Sequence, residues 1–152
     1  MKKHYGPRFR ILHCCTDQLM TEALAKMDLT SSQGRIMSYI ARQSQPPCSR
    51  DIEEFFHLSH PSVSGTLSRL EKKGFIEFRP DPEDHRFKRI YILPKGLQCN
   101  QQIRQAIESL EAQMVSGFTP EEREQFSGFL NRAIENMGCS PCRLPHKEES
   151  TK

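Results

Sequence analysis

SHPSVSGTLSRLEKKGFIEFRPDPEDHRFKRIYIL, residues 59–93, is the stretch on which the reading of this chain turns. Ser59 or His60 can cap a helix that holds Pro61 in its first turn, where a missing amide hydrogen sacrifices no helical bond. Val63, Leu67 and Leu70 recur at helical spacing and form its inward stripe, and Gly74 supplies the left-handed residue that stops it. Phe75–Arg79 and Lys88–Leu93 then alternate apolar with polar residues, as two half-buried strands do. The tract between them, Pro80-Asp81-Pro82-Glu83-Asp84-His85-Arg86, is too polar and too rich in proline for a core and reads as a hairpin tip.

Upstream, Ser49 is the cap of a two-turn helix with Ile52, Phe55 and Phe56 inward, and His57-Leu58-Ser59 makes a turn into the helix of the opening stretch. Two short helices joined in this way have the length of a helix-turn-helix. A basic hairpin directly behind them completes the plan of a winged helix-turn-helix, whose second helix enters a DNA groove. Further upstream, Thr30-Ser31-Ser32-Gln33 is a capping box opening a helix with Ile36, Met37 and Ile40 on one face. That helix ends before Gln45-Pro46-Pro47. Before it, Phe9, Leu12, Cys15, Leu19, Ala23 and Met27 leave one apolar stripe along a helix over 8–28. Downstream, Ile103, Ala106, Ile107, Leu110 and Met114 mark a helix over about 95–117. Thr119-Pro120-Glu121-Glu122 starts another, with Phe126, Phe129, Leu130, Ala133 and Met137 on one face and Gly138 at its end. Residues 139–152 have no periodicity and read as a mobile tail. The fold class is therefore mainly α with a small β part (α+β).

Composition agrees. A chain of 152 residues with 36% hydrophobic content and a net charge of +3, and a mean hydropathy of −0.67, is lean for a large monomeric core. It fits a helical protein that hides apolar surface between subunits. The charge is graded: residues 62–96 hold 8 Lys/Arg against 5 Asp/Glu, whereas residues 97–152 hold 6 against 8. The surplus lies where a phosphate backbone would be met. No apolar run of signal-peptide or membrane-span length is present, which points to the cytoplasm and away from membranes. In that setting Cys14, Cys15, Cys48, Cys99, Cys139 and Cys142 read as thiols. Cys139 and Cys142 make only half a zinc site, and His13, His57, His60, His85 and His146 share no helical face with acidic partners, so no metal is expected. No cofactor is expected either. Glycine-rich phosphate loops, a serine elbow and an apolar carboxylate pair are all missing, and with them an enzyme reading.

The order of elements over residues 8–137 resembles the MarR family of transcription regulators. The local matches are Leu29-Thr30-Ser31-Ser32-Gln33, Arg69-Leu70-Glu71-Lys72-Lys73-Gly74-Phe75-Ile76, and the wing Asp81-Pro82-Glu83-Asp84-His85-Arg86 followed by Ile90-Tyr91-Ile92-Leu93 and Gly96. The wing is the most specific, since family members carry Asp-x-Arg at its tip. His85 departs from a frequent arginine and Pro94 from a usual threonine. The resemblance implies a homodimer held by helices from both ends of the chain (8–28 and 95–138), with residues 29–94 as the winged DNA-binding domain. It also implies a palindromic operator and, commonly, a repressor released by a small aromatic or amphipathic effector. By that analogy Leu12, Leu19, Met37 and Tyr39 are candidates to line the effector site. The long stripes at both ends, too extensive for the small winged domain to cover, support the dimer independently.

Expected roles follow from side-chain chemistry. Ser62, Ser64, Gly65, Thr66, Ser68 and Arg69 occupy the recognition-helix face away from the stripe. Small hydroxyl residues allow close approach to base edges, and Arg69 reaches a phosphate or a guanine. Ser59 and His60 lie at the helix N-terminus, which favours a phosphate. Arg86 is the residue expected in the minor groove. Lys88 and Arg89 are expected on phosphates, and Asp84 is expected to hold Arg86 or Arg89 by a charge-assisted hydrogen bond. An exposed ion pair of little energetic weight is the plainer reading of Asp84 and Arg86. Cys14 and Cys15 lie in the helix through which some relatives sense oxidants, and Arg10 and His13 are near in sequence. The plainer reading there is that Cys15 packs at an interface beside Cys14. Two other functions remain open: a thiol-based redox regulator of the same fold, and a winged-helix adaptor that binds protein and not DNA.

Overall fold

The computed structural model describes residues 4–138; the expected tail over 139–152, with the Cys139/Cys142 pair and His146, lies outside the described residues. Within them run α1 (Gly6–Ala25), α2 (Ser31–Arg42), α3 (Ser49–Phe56), α4 (His60–Lys72), β1 (Ile76–Pro80), β2 (Lys88–Ile92), α5 (Pro94–Met114) and α6 (Pro120–Asn136). This is the mainly α, winged helix-turn-helix order expected from the sequence. The chain divides into two compact units, the first ending at Glu111 and the second starting at Ala112.

Helix starts follow their caps. Gln33 N–H donates to Thr30 Oγ1 at 3.3 Å while Thr30 N–H donates to Gln33 Oε1 at 3.1 Å, so two orphan donors of α2 are satisfied reciprocally. Thr119 and Glu122 repeat the device at α6 with bonds of 2.8 and 3.2 Å. For α3 the cap is Cys48 and not Ser49: the Asp51 carboxylate takes the Cys48 amide hydrogen at 2.7 Å. The acid three residues on fixes the boundary one position earlier than the hydroxyl suggests. Left-handed residues close the ends, His57 (φ 52°) after α3 and Gly74 (φ 73°) after α4.

The core of the first unit gathers Ile36, Met37 and Ile40 of α2, Ile52 of α3, Val63, Leu67 and Leu70 of α4, and Phe75, Ile76 and Ile90 of the hairpin. Ile103 of α5 and Leu24 of α1 join it. α4 thus meets α2, α3 and β1 through the stripe read from the sequence. Phe55 departs from expectation. It is exposed, because a two-turn helix offers one buried line, which Ile52 occupies, and Phe55 instead lies against Tyr39 with ring centroids 4.6 Å apart.

β1 and β2 pair antiparallel in the register Ile76↔Ile92, Phe78↔Ile90 and Pro80↔Lys88. The hairpin is tied on both sides: Ile90 N–H donates to the Pro47 carbonyl at 2.8 Å and Leu93 N–H to the Phe75 carbonyl at 2.9 Å. Gly96 makes the second tie possible, since a Cβ there would lie 2.3 Å from the Phe75 oxygen.

The outer helices differ. Of α1 only Leu24 is buried, while Phe9 (49%) and Leu19 (42%) of its apolar stripe face solvent. Within the second unit Phe118 meets Phe126 edge-on at 5.7 Å, and no residue of α6 is buried. No helix among the described residues is long and apolar enough to cross a membrane.

Candidate nucleic-acid interface

An open groove of about 590 Å³ runs between the start of α4 and the wing. Its walls bring together four of the residues singled out from sequence, His60, Ser64, Arg86 and Lys88, and add Arg50 and Phe87, which sequence reasoning missed. The helix-turn-helix supplies one wall and the hairpin the other, because the Pro47 and Phe75 ties fix the strands against α3 and α4. Arg50, Arg86 and Lys88 thus stand on both sides of a channel that opens beside a helix N-terminus and outnumber its two carboxylates, Glu53 and Glu71, an arrangement suited to a polyanion.

Along α4, Ser59, Ser62, Ser64 and Arg69 are exposed, whereas Gly65, Thr66 and Ser68 are half-buried. The Ser59 and Ser62 hydroxyls bond each other at 2.9 Å, and the Thr66 hydroxyl donates to the Ser62 carbonyl at 2.9 Å. A Cβ on Gly65 would meet nothing within 4 Å, so this position keeps the face flat without any packing need. Small side chains turned onto their own helix leave room for another surface to approach the backbone.

In the wing, Asp84 grips Arg86. Its carboxylate accepts from Arg86 Nε at 3.0 Å and from Nη2 at 2.8 Å, and from the Arg86 amide at 3.1 Å. The Arg86 side chain, then its backbone N–H, hold the Asp84 carboxyl below its usual range. Arg89 is held differently. Its Nε donates to Asp81 Oδ2 at 2.5 Å and its Nη1 to the Pro46 carbonyl at 3.3 Å, which turns it towards the loop before α3. Asp81 is only 6% exposed and also accepts from the Glu83 amide at 2.8 Å. That backbone bond first, and Arg89 second, lower its pKa. Sequence reasoning missed Asp81. The signal was available: an aspartate two residues before the amide it caps, with a proline between, is an Asx-turn pattern.

The remaining candidates lie apart from the groove. Met37 and Tyr39 belong to the buried core, while Leu12 is half-buried and Leu19 exposed on α1. Burial first, then the nearby Asp51 carboxylate, raise the Tyr39 phenol above its usual pKa. Cys14 and Cys15 are exposed. Cys99 is buried and its thiol, pushed up by burial, lies 3.8 Å from the Met27 sulfur. Among the described residues no cluster of His, Cys, Asp and Glu is placed to hold a metal ion.

Residues 27–86 match the sequence pattern of the MarR family. A solved protein of Clostridium acetobutylicum assigned to the MarR family of transcriptional regulators is 30% identical, with a TM-score of 0.72 over 88% of this chain and 98% of that one. S. aureus MepR, in its complex with DNA, is 26% identical, with a TM-score of 0.73 over 89% of this chain and 99% of that one. In sequence, the uncharacterized HTH-type transcriptional regulator YybA of Bacillus subtilis (strain 168) is 27% identical over 112 residues, 72% of this chain and 74% of that protein.

Proposed function

This chain belongs to the MarR family of winged helix-turn-helix transcription regulators, which are not enzymes, and on that footing we propose that it binds double-stranded DNA as a homodimer and controls transcription in the cytoplasm. The observation that carries the reading is the groove that sets Arg86 and Lys88 of the wing against His60 and Ser64 of α4. Ser62, Ser64, Gly65, Thr66, Ser68 and Arg69 meet the major groove, with Ser59 and His60 on a phosphate at the helix start. Arg86, aimed by Asp84, enters the minor groove, and Lys88 meets a phosphate. Arg89 supports the wing through Asp81 more than it contacts DNA. S. aureus MepR in complex with DNA has the same fold, which supports the assignment.

Residues 8–28 and 95–138 form the dimerisation part and residues 29–94 the winged domain. The exposed stripe of α1 is the surface a second copy covers. The two recognition helices then read the halves of a palindrome. A small aromatic or amphipathic effector releases the repressor by changing their spacing. Leu12 and Leu19 offer it apolar surface; Met37 and Tyr39, both buried, are reached only if the core opens.

The test is binding of duplex DNA as salt is raised. Affinity falling steeply with salt supports the reading. No binding at low salt overturns it in favour of a protein adaptor. The exposure of Cys14, which lies off the stripe that a second copy covers, favours one second reading, a thiol switch at Cys14 with Cys15 beside it. Gel shifts with and without peroxide, repeated on Cys14→Ser and Cys15→Ser, decide it: release by peroxide that either substitution abolishes supports the switch, and indifference to peroxide removes it.

A further inference from the structure

We infer that Glu53 is a positioning residue for the phosphate contact of His60, and that this contact takes up a proton when DNA binds. The inference rests on the DNA-binding reading above and adds a residue and a linkage to it.

His60 Nδ1 lies 2.6 Å from Glu53 Oε1. The side chains are unequally exposed, 72% for His60 and 22% for Glu53. The imidazole is therefore the partner open to a ligand, and the carboxylate the more enclosed one. An ionised carboxylate only accepts, so Nδ1 must carry the hydrogen that joins them. This leaves Nε2, across the ring from the carboxylate. In a neutral imidazole whose hydrogen is on Nδ1, Nε2 is an acceptor and meets a phosphate oxygen, also an acceptor, unfavourably. Adding one proton makes Nε2 a donor and the ring a cation, and the contact becomes a charge-assisted hydrogen bond. Glu53 does two things here: it fixes the ring by Nδ1 and its charge supports the imidazolium.

Other charges bear on the same ring. Arg50 from α3 and Arg86 and Lys88 from the wing share the groove and oppose a further positive charge. Glu71 of α4 favours it, and Cys48 completes the titratable groups there. The N-terminal end of α4, where His60 is the first residue, also opposes a cation. Glu53 offsets these, and the arriving phosphate completes the balance. Histidine is the side chain type whose ordinary charge change falls between about pH 5 and about pH 8, which sets the range the experiment must cover.

The bound state then holds more protons than the free state, and affinity rises as pH falls. The experiment measures binding of a labelled duplex, enriched from a randomised pool, at fixed ionic strength from about pH 8 to about pH 6. The wild-type protein should bind more tightly at the lower pH, by at most about tenfold per pH unit for each histidine engaged. His60→Gln should flatten the profile. Glu53→Gln keeps an acceptor for Nδ1 but removes the charge, and should move the rise to lower pH while the thermal midpoint stays near wild type. A structural role alone would leave the profile where it was. The inference is overturned if His60→Gln keeps the wild-type slope, which would place the titrating group elsewhere, for example at His85, or if the Glu53→Gln profile superimposes on wild type. A protein that binds no duplex at any pH loses both this inference and the DNA-binding reading, whereas a pH-independent binder loses only the first.

Discussion

Arg79 and Arg89 stand directly opposite each other across the β1–β2 ladder. Like charges so placed repel, yet each has its own carboxylate. Arg79 pairs with Glu77 and lies 4.5 Å over the Tyr91 ring. Arg89 is drawn away by Asp81 at 2.5 Å. The wing therefore depends on Asp81 twice, for its turn and for the charge on its second strand.

Asp81→Ala should loosen the hairpin without unfolding the helices. Amide exchange over residues 83–90 should quicken, and duplex affinity should fall by about tenfold, the size of losing one charge-assisted hydrogen bond. Exchange rates equal to wild type would show that the Pro46 and Pro47 carbonyls hold the wing unaided.

Acid should act on the same contacts. Asp81 and Asp84 both have lowered pKa values, from an ordinary 3.8, set mainly by the Glu83 amide and by Arg86 respectively. A carboxylate with a depressed folded-state pKa contributes stability that is complete above its unfolded value and is lost as pH falls through the folded one. The wing should thus stay ordered down to about pH 4 and loosen below it. Chemical shifts of the Glu83 and Arg86 amides, followed through an acid titration, should move below that point and not above it.

Arg86 and Lys88 should fail differently. Arg86→Ala should weaken operator binding by about tenfold and relax preference for A·T-rich flanks, with the melting temperature unchanged. Lys88→Ala should weaken all duplexes alike and reduce the slope of log affinity against log salt by about one per site. Identical salt slopes in the two variants would undo the division between groove and phosphate.

Much of this was legible in the sequence because local chemistry determined it. Thr30, Thr119 and Gly74 mark their boundaries through bonds to residues a few positions away, and Pro61 through the amide hydrogen it lacks. Val63, Leu67 and Leu70 needed only helical spacing. The misses share a cause: the exposure of Phe55 and the hold of Asp81 on Arg89 are set by partners on other elements, Tyr39 for the first and the second strand of the wing for the other. A pattern of apolar residues does not reveal which neighbour occupies the facing space. Cys48 as the cap of α3 was hidden by a commoner capping residue beside it.

Gly96 tests how tightly the wing is joined to α5. A methyl group there would press on the Phe75 carbonyl and on Ile92 Cγ1, at 2.3 and 2.7 Å. Since that carbonyl accepts from Leu93 N–H, backbone must shift. Gly96→Ala should cost about 1–3 kcal/mol, the usual range for overpacking. Urea unfolding measures it, and a loss below about 0.5 kcal/mol, typical of open surface sites, would mean that the strand end yields freely.

The stripe of α1 bears on the proposed dimer. Phe9 and Leu19 are half-exposed large apolar side chains on a helix that buries only Leu24, and exposure of that kind along one face marks an interface. A charge placed there must stay hydrated, which a covered face forbids. Phe9→Glu with Leu19→Glu should therefore leave the winged domain folded, since neither residue belongs to its core, while shifting sedimentation from dimer to monomer. Operator binding should weaken by far more than either recognition helix loses alone, because linking two half-site contacts multiplies affinity by roughly 10² or more. A double variant that still sediments as a dimer would move the interface off this face of α1, and a wild-type protein that sediments as a monomer would remove the two-fold reading of DNA with it.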